Sequence, residues 1–165
     1  MIRRVVREHK LAAFARLITV EAKLVPSIIV GDGEKIRAII DNLLSNAIKY
    51  SPRSGTIAIE LHPDGDQAVL DVIDGGPGIS DADRPHIFES FYQGKTAPQG
   101  RIKGSGLGLA IAREYTLAHG GRIELIDRAD GRRGAHFRLR LPLAMPGERT
   151  QATDATPIVT LQEEG

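Results

Sequence analysis

The sequence predicts an α/β two-layer sandwich, in which one mixed, mostly antiparallel five-stranded sheet is covered on one face by about three helices. Three observations lead there. Period-two runs come in pairs joined by short turns, as hairpins do. Amphipathic stretches have helical spacing, and they are interleaved with the hairpins rather than with single parallel strands. A doubly wound parallel sheet would show the opposite arrangement.

The size and charge of the chain fit one such domain. Its 165 residues, 41% of them hydrophobic, can bury one substantial core and are too few for two ordinary domains. Lysine and arginine number 22 against 21 acidic residues, so no bulk field recruits nucleic acid or an anionic membrane, and no nucleic-acid partner is expected. The absence of cysteine excludes a disulfide framework and thiolate metal sites, and fits a reducing compartment. No apolar run approaches the roughly 20 residues that span a bilayer, and MIRRVVREHK lacks the apolar core of a secretion signal; the chain itself is expected to be soluble.

Taken in order, Val5, Val6, Ala13 and Leu17 recur near helical spacing and predict a leading helix over residues 1–17. Val20, Ala22 and Leu24 then alternate with Thr19, Glu21 and Lys23 as in a strand, which Pro26 ends. A short run from Ile28 to Val30 is closed by GDG, where Asp32 can cap a long helix reaching Tyr50. Its buried stripe is Ile36, Ile39, Ile40, Leu43 and Ala47. Strands follow on Ile57, Ile59 and Leu61 and on Ala68, Leu70 and Val72, with HPDGD as the turn between them. A Gly- and Pro-rich stretch to about residue 105 is too long for a plain connection, which marks it as functional. A helix from about Leu107 to His119 stops at Gly120 and Gly121. Two further strands, on Ile123 with Leu125 and on Phe137, Leu139 and Leu141, are joined by ADGRRG. The domain is placed at residues 1–142, and the sparsely apolar residues 143–165 read as a mobile tail.

Chemistry collects around the long helix and the loops. Asn42, Asn46 and Lys49 fall within an arc of about 60° beside the apolar stripe and form a polar strip at the edge of the helix–sheet interface. Magnesium takes hard oxygen donors and dehydrates reluctantly, so one amide oxygen from Asn46 with waters and phosphate oxygens would suit it; alone, both asparagines equally suit exposed helix positions. Lys49 can neutralise phosphate, and Tyr50 can lie against a base or ribose. Asp74 continues the inward phase of Leu70 and Val72, where a carboxylate needs a donor such as the exocyclic amine of adenine. Gly75, Gly76 and Gly78 would let the base approach, although DGGPG also suits an ordinary turn. Gly104, Ser105, Gly106 and Gly108 open a helix and can converge backbone N–H groups on phosphates. Between Tyr92 and Lys103 a polar, glycine-bearing segment flanked by Phe88 and Phe91 has the composition of a nucleotide lid, with Arg101 and Lys103 able to reach a terminal phosphate.

Four segments in fixed order carry a resemblance: DNLLSNAIKYSP, DGGPGI, IFESFYQG and GSGLGLAI are similar to the N, G1, F and G2 boxes of the ATP-binding domain of bacterial two-component sensor histidine kinases, of Bergerat type. The resemblance covers roughly residues 1–142 and implies a flexible ATP lid. It implies ATP and Mg²⁺ as cofactors, Asn46 as metal ligand, and Asn42 and Lys49 on the phosphate side. Tyr50 would stack on the nucleotide, Asp74 with Gly76, Gly78 and Ile79 would hold the base, and Gly104, Ser105, Gly106, Leu107, Gly108 and Leu109 would form the phosphate loop. Asn42, Lys49, Arg101 and Lys103 would support the chemistry. Hydrolytic members carry glutamate where Asn42 stands, and asparagine cannot be a general base, so the residue favours transfer over hydrolysis. The implied activity is donation of the γ-phosphoryl group of Mg·ATP to a histidine on a separate helical dimerisation domain. None of the five histidines stands in an acceptor setting, and each reads as structural. The response regulator would be an indirect partner. The chain would be a monomeric catalytic piece of a homodimer, on the cytoplasmic side of a membrane-anchored parent. A nucleotide-binding pseudokinase and a hydrolytic ATPase are the alternatives.

Overall fold

The computed structural model describes residues 1–94, 104–145 and 158–161. Helices α1 (Ile2–Glu8) and α2 (Lys10–Ala15) precede strands β1 (Thr19–Leu24) and β2 (Ile28–Val30) and helix α3 (Gly33–Tyr50). Strands β3 (Thr56–Asp64) and β4 (Gln67–Ile73), helix α4 (Gly108–Ala118), strands β5 (Arg122–Leu125) and β6 (His136–Pro142), and strand β7 (Ile158–Thr160) follow. The main sheet has the order β1-β3-β4-β6-β5; β1 runs parallel to β3 and every other neighbouring pair is antiparallel. This is the expected mixed, mostly antiparallel five-stranded sheet, with helices on one face.

Register carries the period-two pattern into the core. Ile59 pairs with Val72, Leu70 with Leu139 and Val72 with Phe137, so one face of the sheet is continuously apolar. All five residues of the expected α3 stripe are buried, and Leu44 and Ile48 join them. Asp32 caps α3 as its position suggests, accepting the N–H groups of Glu34 and Lys35 at 3.0 and 3.2 Å.

Two expectations are corrected. The leading helix over residues 1–17 is broken: α1 ends at Glu8, α2 begins at Lys10, and Leu17 has φ 56°. Long-range bonds outweigh the helical spacing. His9 Nε2 lies 2.8 Å from Asp41 Oδ1, and the Arg16 guanidinium donates to the carbonyls of Lys49 and Ser51, both at 2.7 Å, so the chain bends to follow α3. The second correction concerns part of the tail. Residues 158–160 pair antiparallel with β2, and Val159 and Leu161 are buried against the core. So short a strand suffices there because β2 offers an edge to pair with and Ile29 a buried neighbour.

Candidate functional site

Asp74 stands where β4 gives way to the glycine-rich loop, and it is 5% exposed. Its Oδ1 accepts the N–H groups of Gly76 at 2.7 Å and Ala135 at 3.1 Å, while its own N–H donates to the Ala135 carbonyl at 3.0 Å. Oδ2 has no hydrogen-bond partner among the described residues. Burial pushes the carboxyl pKa up, against the two backbone N–H groups and the charge of Arg128. Asp74 therefore presents one satisfied and one open oxygen to a cavity of about 100 Å³ walled by Asn46, Tyr50, Gly78, Ile79 and Phe137. A donor entering that cavity would complete the carboxylate.

A second, larger chamber of about 520 Å³ adjoins the first and shares Asn46, Tyr50 and Leu109 with it, so the two form one cleft. Its walls are the polar strip of α3 and the loop from Gly104 to Leu109. Asn42 turns one amide N–H back to the Ala38 carbonyl at 2.9 Å, which leaves its oxygen and its second N–H for a ligand. Asn46 makes no side-chain hydrogen bond among the described residues. Lys49 Nζ sits 5.1 Å from the centroid of the Tyr50 ring and has no ion pair among them.

The glycine loop closes the second chamber opposite α3. Helix α4 begins at Gly108, one residue later than expected, and no side chain among the described residues caps its first turn. Gly106 has φ +73°, and a Cβ there would lie 2.7 Å from the Phe91 carbonyl carbon, so both the turn and the close approach require glycine. Two bonds tether the loop: Phe91 N–H to the Gly106 carbonyl at 2.9 Å, and the Gln93 amide to the Gly104 carbonyl at 2.7 Å. The Ser105 hydroxyl accepts the Leu107 N–H at 3.3 Å.

This donor set fits a magnesium nucleotide. No group of three His, Cys, Asp or Glu able to hold a metal occurs among the described residues, which leaves no protein cage. A single unpartnered amide beside a lysine and an uncapped helix start suits an ion that arrives with phosphate oxygens.

Asn42, Asn46, Lys49, Tyr50, Asp74, Gly78, Ile79 and the whole Gly104–Leu109 loop border this cleft, while Gly76 serves Asp74 through its N–H. Arg101 and Lys103 lie outside the described residues. Of the two aromatic anchors, Phe88 packs edge-on against Phe137 at 6.2 Å, but Phe91 is 72% exposed. Tyr92 takes the anchoring role instead. Its hydroxyl donates at 2.7 Å to Asp83, a buried carboxylate that also accepts from Ser80 at 2.7 Å, and the bond to Asp83 raises the Tyr92 pKa. Asp83, Gln93 and Ala135 also line the cleft, beyond the residues the sequence motifs mark. The spacing of Ser80 and Asp83 is a local capping pattern, which the two residues form, but nothing near them in the sequence marks the bond from Tyr92 or the place of Gln93.

Residues 31–145 match the family described as histidine kinase-, DNA gyrase B-, and HSP90-like ATPase. The sensor protein SphS of Synechococcus elongatus is 42% identical over 119 residues, 68% of this chain and 28% of that protein. The sensor histidine kinase GlrK of Escherichia coli is 34% identical over 142 residues, 86% of this chain and 30% of that one. The chain thus spans less than a third of the length of these relatives. Among solved structures, a mycobacterial sensor histidine kinase, MprB, superposes with a TM-score of 0.74 at 32% identity, covering 84% of this chain and 93% of that one. Full-length ShkA in complex with AMPPNP gives a TM-score of 0.72 at 28% identity, over 87% of this chain and 29% of that one.

Proposed function

The chain belongs to the histidine kinase-, DNA gyrase B- and HSP90-like ATPase family, and from that premise we propose that it binds Mg·ATP and donates the γ-phosphoryl group to a histidine on a helical acceptor domain. The observation that carries this reading is the convergence of Asp74, Asn46 and the Gly104–Leu109 loop on one cleft. Asp74 would accept the exocyclic amine of the base through its open oxygen. Tyr50 would flank the nucleotide, and Lys49 with the free N–H groups of α4 would neutralise the phosphates. Asn46 would supply the one protein oxygen to magnesium, which when bound screens charge between phosphate oxygens. Arg101 and Lys103 are proposed to approach the terminal phosphate.

Transfer is favoured over hydrolysis by Asn42. Its amide donates to the Ala38 carbonyl and has no basic atom with which to activate water. Phosphoryl transfer asks for position and charge compensation, which this cleft offers without a base on α3. Among the described residues no helix is long and apolar enough to cross a membrane. The membrane anchor, the homodimer and the response regulator belong to the proposed parent protein.

Calorimetric titration with ADP and ATP, with and without Mg²⁺, tests the binding step, and labelling of an added acceptor domain with γ-labelled ATP tests transfer. Binding with phosphorylated acceptor and little free phosphate is expected. The absence of any nucleotide binding would end the reading, and steady-state hydrolysis without transfer would replace it with the ATPase alternative.

A further inference from the structure

We infer that Arg128 is a positioning residue for base recognition: it holds the backbone of Asp74 against the β5–β6 connection and so fixes the carboxylate that meets the base. This deepens the nucleotide reading above and rests on it.

Arg128 lies in the connection after β5, far from the four glycine- and asparagine-rich segments in sequence. Its side chain is only 15% exposed, and its donors are directed inward. Nη1 donates to the Asp74 carbonyl at 2.6 Å and to the Arg133 carbonyl at 3.2 Å. The other edge of the guanidinium forms a fork on Asp130, with Nε to Oδ1 at 2.9 Å and Nη2 to Oδ2 at 2.5 Å. Asp130 in turn accepts the Arg132 N–H at 3.1 Å, so the anchoring acid is itself held by its turn. Its carboxyl is pulled far below the usual range, first by the bond from Arg128.

The turn and Asp74 meet at van der Waals distance. A Cβ on Gly134, whose φ is +131°, would fall 1.9 Å from the Asp74 carbonyl oxygen, so only glycine lets the two backbones approach. One residue on, Ala135 exchanges two bonds with Asp74: its carbonyl accepts the Asp74 N–H and its N–H donates to Oδ1. Arg128 therefore closes the third side of a clamp. Its guanidinium sits on the carbonyl side of Asp74, and its charge also favours the ionised carboxylate over the neutral acid. Arg128 does not wall the Asp74 cavity, so it acts through Asp74 and not on a ligand directly.

Adenine and hypoxanthine separate this role from general packing. Adenine presents an amine donor to a carboxylate, whereas hypoxanthine presents a carbonyl oxygen at the same place, and all phosphate contacts are common to both. The ratio of ADP to IDP affinity thus reads how well Asp74 is set. Wild type is expected to prefer ADP. Arg128→Met is expected to weaken ADP by roughly tenfold while IDP changes little, so that the preference collapses. Arg128→Lys, which keeps a cation and one donor, should recover part of it, and Asp130→Asn, which loosens the fork alone, should give a smaller loss in the same direction.

An unaltered ADP-to-IDP ratio in both Arg128→Met and Asp130→Asn overturns the inference, as does equal weakening of both nucleotides in each variant. Should Arg128→Met fail to fold, the ratio in Asp130→Asn decides. Failure of wild type to bind either nucleotide would instead remove the nucleotide reading itself, an outcome distinct from a wild-type ratio preserved in the variants.

Discussion

Asp71 and Asp74 lie three residues apart at the end of one strand, are 3% and 5% exposed, and are held in opposite ways. Asp71 lies on the sheet face away from the helices. Its Oδ1 lies 2.7 Å from His136 Nε2 and 2.8 Å from Arg138 Nε, and Oδ2 accepts from Arg138 Nη2 at 3.1 Å. Burial alone would raise its pKa, but these bonds outweigh it and hold the carboxyl below its ordinary value. Asp74 faces the cleft with backbone N–H groups on one oxygen only among the described residues, and burial keeps its pKa raised. Full pairing makes a carboxylate structural; a buried carboxylate left one bond short holds binding capacity that only a ligand can use.

The largest effect is expected at Asp71. Asp71→Ala should destabilise the domain by about 3 kcal/mol in urea unfolding, because it leaves a partly buried guanidinium and imidazole without their acid. Nucleotide affinity, measured on the folded fraction, should be unaltered. A fall in affinity comparable to that of a cleft variant would show that the two faces are not independent.

On the other face, Asp74→Asn should weaken ADP by about 2 kcal/mol, the scale of a hydrogen bond to a charged group, with a melting temperature at or above wild type. Parallel loss of stability would mean that Asp74 is held for the fold and not for a ligand. Arg138→Lys is smaller: it keeps the charge but loses the two-pronged contact, and about 1 kcal/mol of stability should go with no change in ADP binding.

Acid titration gives the finest distinction, because the two groups contribute with opposite sign. Asp71 has a depressed folded-state pKa, so its contribution is fully present above the unfolded carboxylate value of about 3.9 and is lost as pH falls through the folded value. Asp74 has a raised folded-state pKa, so the folded protein binds its proton first, and its contribution to stability grows as pH falls from that value toward about 3.9. Unfolding of Asp71→Asn and Asp74→Asn beside wild type from pH 7 to 3 should therefore show differences of opposite slope. Equal slopes would show that the two carboxylates are held alike.

The two faces were also unequally legible. Asp74 was accessible to sequence reasoning, since the inward phase of β4 and the glycines after it are local signals that say where a carboxylate points and that something must approach it. The polar strip of α3 and the glycine loop before α4 were legible for the same reason. Asp71, with partners 65 and 67 residues away, carries no such mark, because which residue of β6 lies opposite is a matter of register. Phe91 misled for a related reason: aromatic character predicts burial, but its φ of 67° and its bond to Gly106 turn the ring outward.

The sequence alone settles the order of elements from β1 to β6, the mixed sheet with its apolar face, the cap of α3, and the α3 strip, Asp74 and the glycine loop that border the cleft. These depend on periodicity, capping and glycine placement, all settled within a few residues. Tertiary contacts set the bend at His9, the return of Val159 and Leu161 to the β2 edge and the clamp of Arg128 on Asp74. Each of these joins groups distant along the chain, and a contact of that kind exists only after the sheet and helices have fixed where both partners stand.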